Sequence, residues 1–213
     1  MRTRRWMFAI TFWVSITLAT VARSQPNEHA RDGFLMGFNI GGGSAQLEID
    51  ADSVEVSSDD RFGGVAGNFR IGFAVSPTLI IGLESSAWVR EEEIEGFGDE
   101  LTQTNTLAVG AFAATWYPGQ GGFFLRGGIG FGTYQEEVAS GSVTVTFRET
   151  GFGVLAATGY EWRLTRSFAL GPQLDLAYVD VGDIEFETID GTVVDADIKF
   201  DYVNLTVLLN WYF

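Results

Sequence analysis

Alternation of apolar and polar residues is the clearest pattern in the chain, and it is most regular in the last segment. Between Val203 and Phe213, every second position is apolar, and most of the intervening positions are polar. A two-residue period is typical of a β-strand with one apolar face. These 11 residues are long enough, when tilted, to cross a bilayer as a strand.

Seven earlier segments repeat this alternation. They are predicted at 34–43, 65–75, 79–89, 104–117, 123–132, 152–162 and 168–178. The fourth segment is ambiguous. Leu107 and Val109 indicate one outer face, but Phe112 and Trp116 fall opposite, so the reverse register stays open. In the seventh, Pro172 removes a ladder hydrogen bond, so we expect a bulge or an irregular start there.

The connections between these segments alternate in length. Short turns follow the second, fourth and sixth segments, whereas long loops are predicted at 48–63, 90–103, 135–150 and 179–199. This alternation and the even strand count are typical of membrane barrels, and closed barrels are the only β-structures that span bilayers. The pattern predicts an all-β fold, an eight-stranded antiparallel up-and-down transmembrane β-barrel over residues 33–213. A soluble barrel with its apolar face inward, as in lipocalins, is the competing fold.

The amino terminus has the features of a secretory signal. Basic residues at positions 2, 4 and 5 precede an apolar run from Met7 to Val21, and Ala22-Arg23-Ser24 is a small-x-small cleavage site. A run of this length is short for a membrane-spanning helix. We predict a signal peptide at 1–24, a polar lead-in at 25–32 and the barrel thereafter.

The end of the chain resembles the assembly signal of bacterial outer-membrane barrels. It ends on Phe213, with Trp211 and Leu209 two and four positions before it. From 34 to 213 the chain is similar to small eight-stranded barrels of the OmpA, OmpX and OmpW kind. This resemblance implies the bacterial cell outer membrane, periplasmic termini, surrounding lipid and lipopolysaccharide, and help from the barrel assembly machinery. We expect a monomer.

Charged residues fall on the small-residue faces predicted to point inward. They are Arg70, Glu84, Arg126, Glu161 and Asp175. Because eight strands enclose a lumen that side chains can fill, and unpaired buried charges are costly, we predict an ion-pair cluster that plugs the barrel. The alternative is a narrow ion path opened when these pairs rearrange.

Aromatic residues near the predicted strand ends suggest a girdle at the membrane interfaces. The girdle residues are Trp88, Trp116, Tyr117, Trp162 and Tyr178.

Composition excludes several kinds of chemistry. The chain has no cysteine and one histidine, His29, which precedes the first strand. A triad at the barrel rim or a multi-histidine metal site is therefore not expected. The glycine run 127–132 lacks the spacing of a dinucleotide loop and fits a strand. No cofactor is expected, and the formal charge of −15 disfavours nucleic acid as a partner.

Three functions remain. The first is a non-enzymatic barrel with a plugged lumen and acidic external loops, in a structural or surface-interaction role. The alternative is a narrow transporter or channel for small apolar molecules or ions. The third, an enzyme acting on lipid, is disfavoured by the position of His29. The acidic loops could also bind divalent cations weakly, since carboxylates suit hard cations, although no calcium-loop motif is present.

Overall fold

The computed structural model of the chain describes residues 31–51, 54–57, 61–96, 99–140, 143–187 and 193–213. The predicted signal peptide and His29 lie outside these ranges, and of the predicted lead-in only Arg31 and Asp32 are described. Within the described ranges, no helix has the length and apolar character needed to cross a membrane.

Eight long strands form the sheet in the described part of the chain. They are β1 (Phe34–Ala51), β2 (Phe62–Ser76), β3 (Leu79–Gly96), β4 (Asp99–Trp116), β5 (Phe123–Ser140), β6 (Val143–Tyr160), β7 (Phe168–Glu187) and β8 (Val193–Tyr212). Two short strands, Val54–Ser57 and Trp162–Arg163, pair with β1 and β7. A 3-10 turn, Pro118–Gln120, lies between β4 and β5.

The strands close into a barrel. Each pairs antiparallel with its neighbours in chain order, and β8 pairs with β1. Following the cross-strand partners once around from Phe34 leads back to Ser44 on the same strand, a stagger of ten residues. The predicted fold class is thus confirmed, and strand tilt follows from this stagger.

Apolar side chains face outward on every long strand. Phe131 is 72 % exposed, Ile40 65 % and Leu205 65 %, and the residues on either side of each in the chain are buried or half-buried. Their rows form a belt, which we call the apolar band, that covers the lower part of the barrel. The lower end is the one at which Phe34 and Phe213 pair and the short turns lie. Such a band suits lipid, where a soluble barrel would expose polar groups.

The outer face first predicted for β4 is wrong. Leu107 and Val109 are buried inside the barrel, whereas Phe112 and Trp116 are more than half exposed on its outer face. Both faces of β4 are apolar, because its inner face packs against other inward apolar residues. Alternation alone therefore could not choose the register.

Most residues of the predicted long loops belong to strands in the structure, so the predicted loop bounds are corrected. Pairing of β3 with β4 continues to Gly96 and Asp99, and pairing of β5 with β6 continues to Ser140 and Val143. The long strands have 15–20 residues, although about 9–11 suffice to cross a bilayer. The hairpins therefore continue well beyond the apolar band at the upper end.

Above the apolar band the wall divides into two sheets. The pairing of β2 with β3 ends at Val65 and Val89, and that of β6 with β7 ends at Phe152 and Asp180. Strands β3 to β6 stay paired above these points, as do β7, β8 and β1. We call these the first and second upper sheets.

Pro172 lies beside an interruption of the wall, in line with the expected irregularity. Its partner on β8 is Val207, and that ladder is continuous here. On the other side, pairing with β6 stops at Gln173 and resumes at Leu170 with the short strand Trp162–Arg163. The missing proline N–H explains why a ladder is broken at this point.

Candidate functional site

The barrel interior is layered along its axis. Reading up the inward positions of β3 gives Ile80, Glu84, Ser86 and then Trp88, that is, apolar, polar and apolar again. Strand β8 shows the same order from Leu208 upward, whereas below Leu208 the polar Asn210 precedes Tyr212. The lumen thus contains a polar belt between two apolar clusters.

The two apolar clusters are buried and rich in aromatic residues. The lower cluster comprises Leu35, Ile80, Tyr117, Phe124, Ala169, Leu208 and Tyr212. The upper cluster comprises Ala45, Trp88, Leu107, Val109, Ala111, Ala113, Tyr134, Leu155, Ala177, Val179, Phe200 and Tyr202.

An ion pair between Glu84 and Arg126 lies at the centre of the polar belt. Arg126 Nη1 donates to Glu84 Oε1 at 2.9 Å, and its Nε donates to Thr115 Oγ1 at 2.9 Å. The two charged side chains are 2 % and 0 % exposed. The guanidinium also lies 5.1 Å from the centre of the Phe124 ring. The pair is thus held on three strands, β3, β4 and β5.

Asn68 joins this pair to the second carboxylate of the belt. Its Nδ2 donates to Glu84 Oε1 at 3.2 Å and to Asp175 Oδ1 at 3.0 Å, while its Oδ1 accepts from Ser86 at 3.1 Å. Asp175 also accepts from Thr206 at 3.0 Å and from Gln173. One amide therefore links β2, β3 and β7 across the lumen.

Glu161 belongs to a different group at the lower end. It is fully buried, and it accepts hydrogen bonds from Arg31 Nε at 3.0 Å and Nη2 at 2.8 Å, from Asn210 at 2.8 Å, and from the Tyr212 hydroxyl at 2.9 Å. The Arg31 guanidinium lies 3.4 Å above the ring centre of Tyr117. We call this arrangement the lower latch.

Of the five predicted cluster residues, only Glu84 and Arg126 pair with each other among the described residues. Arg70 is a cross-strand partner of Glu84 but donates to Asn210 Oδ1 at 2.6 Å, so it connects the belt to the lower latch. The structure therefore brings the predicted charges into two linked groups.

The predicted aromatic girdle is divided by the structure. Trp116, Trp162 and Tyr178 lie on the outer face and are 37–51 % exposed. The prediction is wrong for Trp88 and Tyr117, which are 2 % and 0 % exposed. Both occupy inward positions, and they pack in the upper and lower clusters instead.

The residues of the predicted assembly signal lie at the lower outer edge. Leu209 and Trp211 are half-buried on β8, and the Trp211 ring lies 5.1 Å from that of Phe168. Phe213 is 71 % exposed, and its N–H donates to the Phe34 carbonyl at 2.9 Å. The role of these residues in assembly stays a prediction.

A cavity of about 360 Å³ opens above the upper cluster, between the two upper sheets. It is lined by apolar and polar side chains in equal number: Ala45, Leu47, Phe62, Trp88, Leu107, Tyr134, Gln46, Arg90, Glu92, Gln103, Asn105 and Glu136. We call it the upper cavity. Below it, a cleft of about 10 Å³ lies beside Arg70 and Glu84, and it is too small for a ligand.

A family model described as the autotransporter beta-domain matches residues 38–197. The chain belongs to this family.

Several solved barrels are similar to this autotransporter beta-domain. Ail, the attachment invasion locus protein of Yersinia pestis, is 12% identical, with a TM-score of 0.47 over 84% of this chain and 99% of that one. Neisserial surface protein A is 13% identical, with a TM-score of 0.48 over 85% and 97% of the two chains. OprG from Pseudomonas aeruginosa is 10% identical, with a TM-score of 0.45 over 89% and 100%. No curated protein matches the chain.

The family and the closed barrel with its apolar band make this chain a transmembrane β-barrel of the bacterial outer membrane.

Sequence reasoning missed two features of this autotransporter beta-domain. Arg31 precedes the first strand, where no alternation marks it as buried. Five of the residues that line the upper cavity, Phe62, Arg90, Glu92, Gln103 and Glu136, lie in the predicted loops, and the cavity exists because the hairpins are long. The sequence gives one sign that Arg31 could be buried, namely its position close to the start of the first strand.

Proposed function

We propose that this barrel is a non-enzymatic outer-membrane protein whose lumen is closed by its own side chains, and that it acts through membrane integrity or through its acidic upper surface. The observation that carries this proposal is the filled interior, in which the polar belt and the two apolar clusters are all made of buried side chains. An ion crossing the lumen would have to pass the upper cluster without hydration, which is costly.

The polar belt itself supports closure. Glu84 and Arg126 neutralise each other, and Asn68 ties them to Asp175. Moving Arg126 aside would leave a buried carboxylate unpaired and break hydrogen bonds on three strands. The belt is therefore suited to hold the strands in register, more than to move as a gate.

The non-enzymatic part of the proposal rests on where the candidate catalytic groups lie. No group of three or more His, Asp or Glu side chains that could hold a metal occurs among the described residues. Buried Ser86 donates to an asparagine, not to a carboxylate. General-base activation of a nucleophile needs a base within hydrogen-bond reach. Thr206 does donate to the carboxylate of Asp175, but it is buried in the polar belt, away from any substrate in solution.

Orientation and surroundings complete the proposal. Short turns and both ends of the barrel face the periplasm, and the long hairpins face outward, as in small barrels of the OmpA, OmpX and OmpW kind. Lipid and lipopolysaccharide surround a monomer, whose insertion depends on the barrel assembly machinery. Acidic hairpins such as the one carrying Glu91, Glu92 and Glu93 would attract divalent cations shared with lipopolysaccharide phosphates.

Planar-bilayer recording of the refolded protein tests closure. We expect no steady conductance from the natural chain, nor from Arg166→Ala, a control change in the exposed lower turn. Steady channel events in the natural chain that disappear in Arg126→Ala would contradict a plugged lumen. Lipid A or phospholipid turnover by the same preparation would contradict the non-enzymatic assignment.

A narrow transporter is the second candidate. The upper cavity favours it, because a small molecule could enter there from outside. The shortest strand ladder in the described wall, between β6 and β7, would be the place for sideways exit. Uptake of a small apolar compound into vesicles that contain the barrel, with empty vesicles as control, separates the two candidates.

A further inference from the structure

We propose that the upper cavity is a binding site for a small amphipathic cation, an organic ammonium ion attached to an apolar body. The site lies above the apolar band, so its ligand would arrive from water. Its volume of about 360 Å³ lies within the range of small-molecule pockets. The proposal stands apart from lumen closure, since the cavity is above the upper cluster whether or not the belt conducts.

The floor and walls of the cavity supply the apolar contact. Trp88 and Tyr134 are 2 % and 7 % exposed and belong to the upper cluster, and Leu107 lies beside them. The indole of Trp88 packs against Gly64, where a Cβ would meet its ring at 2.5 Å. Rigid aromatic faces of this kind attract cations as well as apolar groups.

Glu136 supplies the negative charge. Gln103 Nε2 donates to its Oε1 at 2.7 Å, and the Tyr134 hydroxyl donates to its Oε2 at 2.9 Å. Both partners are neutral, and within the described residues no cation pairs with this carboxylate. A carboxylate accepts about four hydrogen bonds, so oriented acceptor capacity is left for an ammonium group.

Arg90 does not turn the cavity into an anion site. Its Nη2 already pairs with Glu92 Oε2 at 2.7 Å, and its guanidinium lies 4.6 Å from the centre of the Phe62 ring. With Arg90 balanced by Glu92, the charge left on the lining is that of Glu136. The arginine also shows that an aromatic wall of this cavity accommodates a cation.

The charge of the whole protein points the same way. The chain has a formal charge of −15, and the hairpins around the cavity carry further acids. A negative field of this kind concentrates cations near the opening and excludes anions.

Titration calorimetry with three probes of matched shape tests the proposal. The probes are phenethylammonium, the neutral phenylethanol and the anionic phenylpropanoate, added to the refolded barrel in a maltoside detergent, which has no ammonium group to compete. We expect phenethylammonium to bind at least about tenfold more tightly than phenylethanol, as a charge-assisted hydrogen bond of about 1.5 kcal/mol requires. Phenylpropanoate should bind most weakly.

Two matched variants locate the charge. Glu136→Gln should lower the affinity for phenethylammonium about tenfold, whereas Glu137→Gln should leave it within about twofold. Glu137 is the next residue on β5 and projects to the other face of the sheet. Ala45→Trp should fill the cavity and abolish binding of every probe. Heat-modifiable migration on a gel checks that each variant is folded.

The proposal is overturned if Glu136→Gln and Glu137→Gln bind phenethylammonium alike, or if phenylethanol binds as tightly as phenethylammonium. It is also overturned if phenylpropanoate binds best, which would assign recognition to Arg90. Absence of saturable heat with all three probes would show that the cavity is not a ligand site.

Discussion

Arg31 and Glu161 form a buried ion pair at the lower end of the barrel, although 130 residues separate them in the chain. Arg31 also donates to the Gly121 carbonyl at 2.8 Å, so the segment before β1 is joined to two turns of the barrel. The chain entering the barrel is thereby fixed beneath the lumen.

Loss of Arg31 should destabilise the barrel more than loss of an exposed arginine. Arg31→Ala leaves Glu161 buried without its cation, and we expect a cost of about 3 kcal/mol in the free energy of unfolding. Urea unfolding of the refolded protein in lipid vesicles, followed by tryptophan fluorescence, measures this. Arg166→Ala, in the exposed turn after β6, is the control and should change the free energy by less than about 0.5 kcal/mol.

A double-mutant cycle measures the coupling energy between Arg31 and Glu161 separately from their other contacts. Arg31→Ala combined with Glu161→Gln should be less destabilising than the sum of the two single changes. Strict additivity would mean that the pair contributes no coupling.

Arg126→Met should be strongly destabilising, by about 3–5 kcal/mol, because the buried carboxyl group of Glu84 would lose the cation that compensates it. Adding Glu84→Gln should restore part of this loss, since the double variant leaves no buried charge unpaired. The same unfolding measurement applies. If the double variant is less stable than Arg126→Met alone, the cost of Arg126→Met would not come from the unpaired carboxyl group of Glu84.

The same substitution at two glycines of β5 should have different effects on the yield of refolded barrel. A Cβ at Gly130 would lie 2.0 Å from the backbone oxygen of Gly110, whereas a Cβ at Gly127 meets no atom within 4 Å. We expect Gly130→Ala to lower the yield of refolded barrel, and Gly127→Ala to leave it unchanged. The heat-modifiable gel shift gives the folded fraction. Equal yields would mean that the β4–β5 wall can shift to accept the methyl group.

Single cysteines can establish the orientation, because the natural chain has none. Glu91→Cys lies on the exposed upper part of β3, and Thr165→Cys lies in the exposed turn at the lower end. A membrane-impermeant maleimide should label Glu91→Cys in intact cells, and Thr165→Cys only after the outer membrane is permeabilised. The reverse labelling would invert the proposed orientation.

Phe213→Ala should affect assembly more than stability. The ring is 71 % exposed, and the backbone bonds to Phe34 do not need it. We expect less barrel in the outer membrane of cells but an unfolding free energy within about 0.5 kcal/mol of the natural chain after refolding in vitro. An equal loss in both measurements would assign Phe213 a packing role instead.

Much of the barrel could be predicted from sequence because its two faces differ in polarity. Alternation identified all eight strands and placed Arg70, Glu84 and Asp175 inside. It failed for β4, where Val109 and Phe112 are both apolar and only packing distinguishes the faces. It also ended each strand where the apolar outer residues stop, although cross-strand pairing continues through polar residues.

The candidate sites were less predictable for a different reason. That Glu84 and Arg126 both point inward follows from alternation, but their pairing depends on the stagger of the closed barrel. The partner of Glu161 could not be found in the same way, since Arg31 lies outside any strand. Trp88 and Tyr117 lie near the predicted strand ends, which predicts the membrane interfaces, but their side chains point into the lumen. Position along a strand does not by itself give the direction of the side chain.

The short ladder between β6 and β7 makes the barrel wall unequal in strength around its circumference. The seam at which the two ends of the chain meet is continuous from Leu35 to Ala51, so it is not the weak point. Under lateral tension in the membrane, the wall would part first beside Pro172, where fewer backbone bonds resist separation. A disulfide placed between β6 and β7 would therefore strengthen this barrel more than one placed across its closing seam.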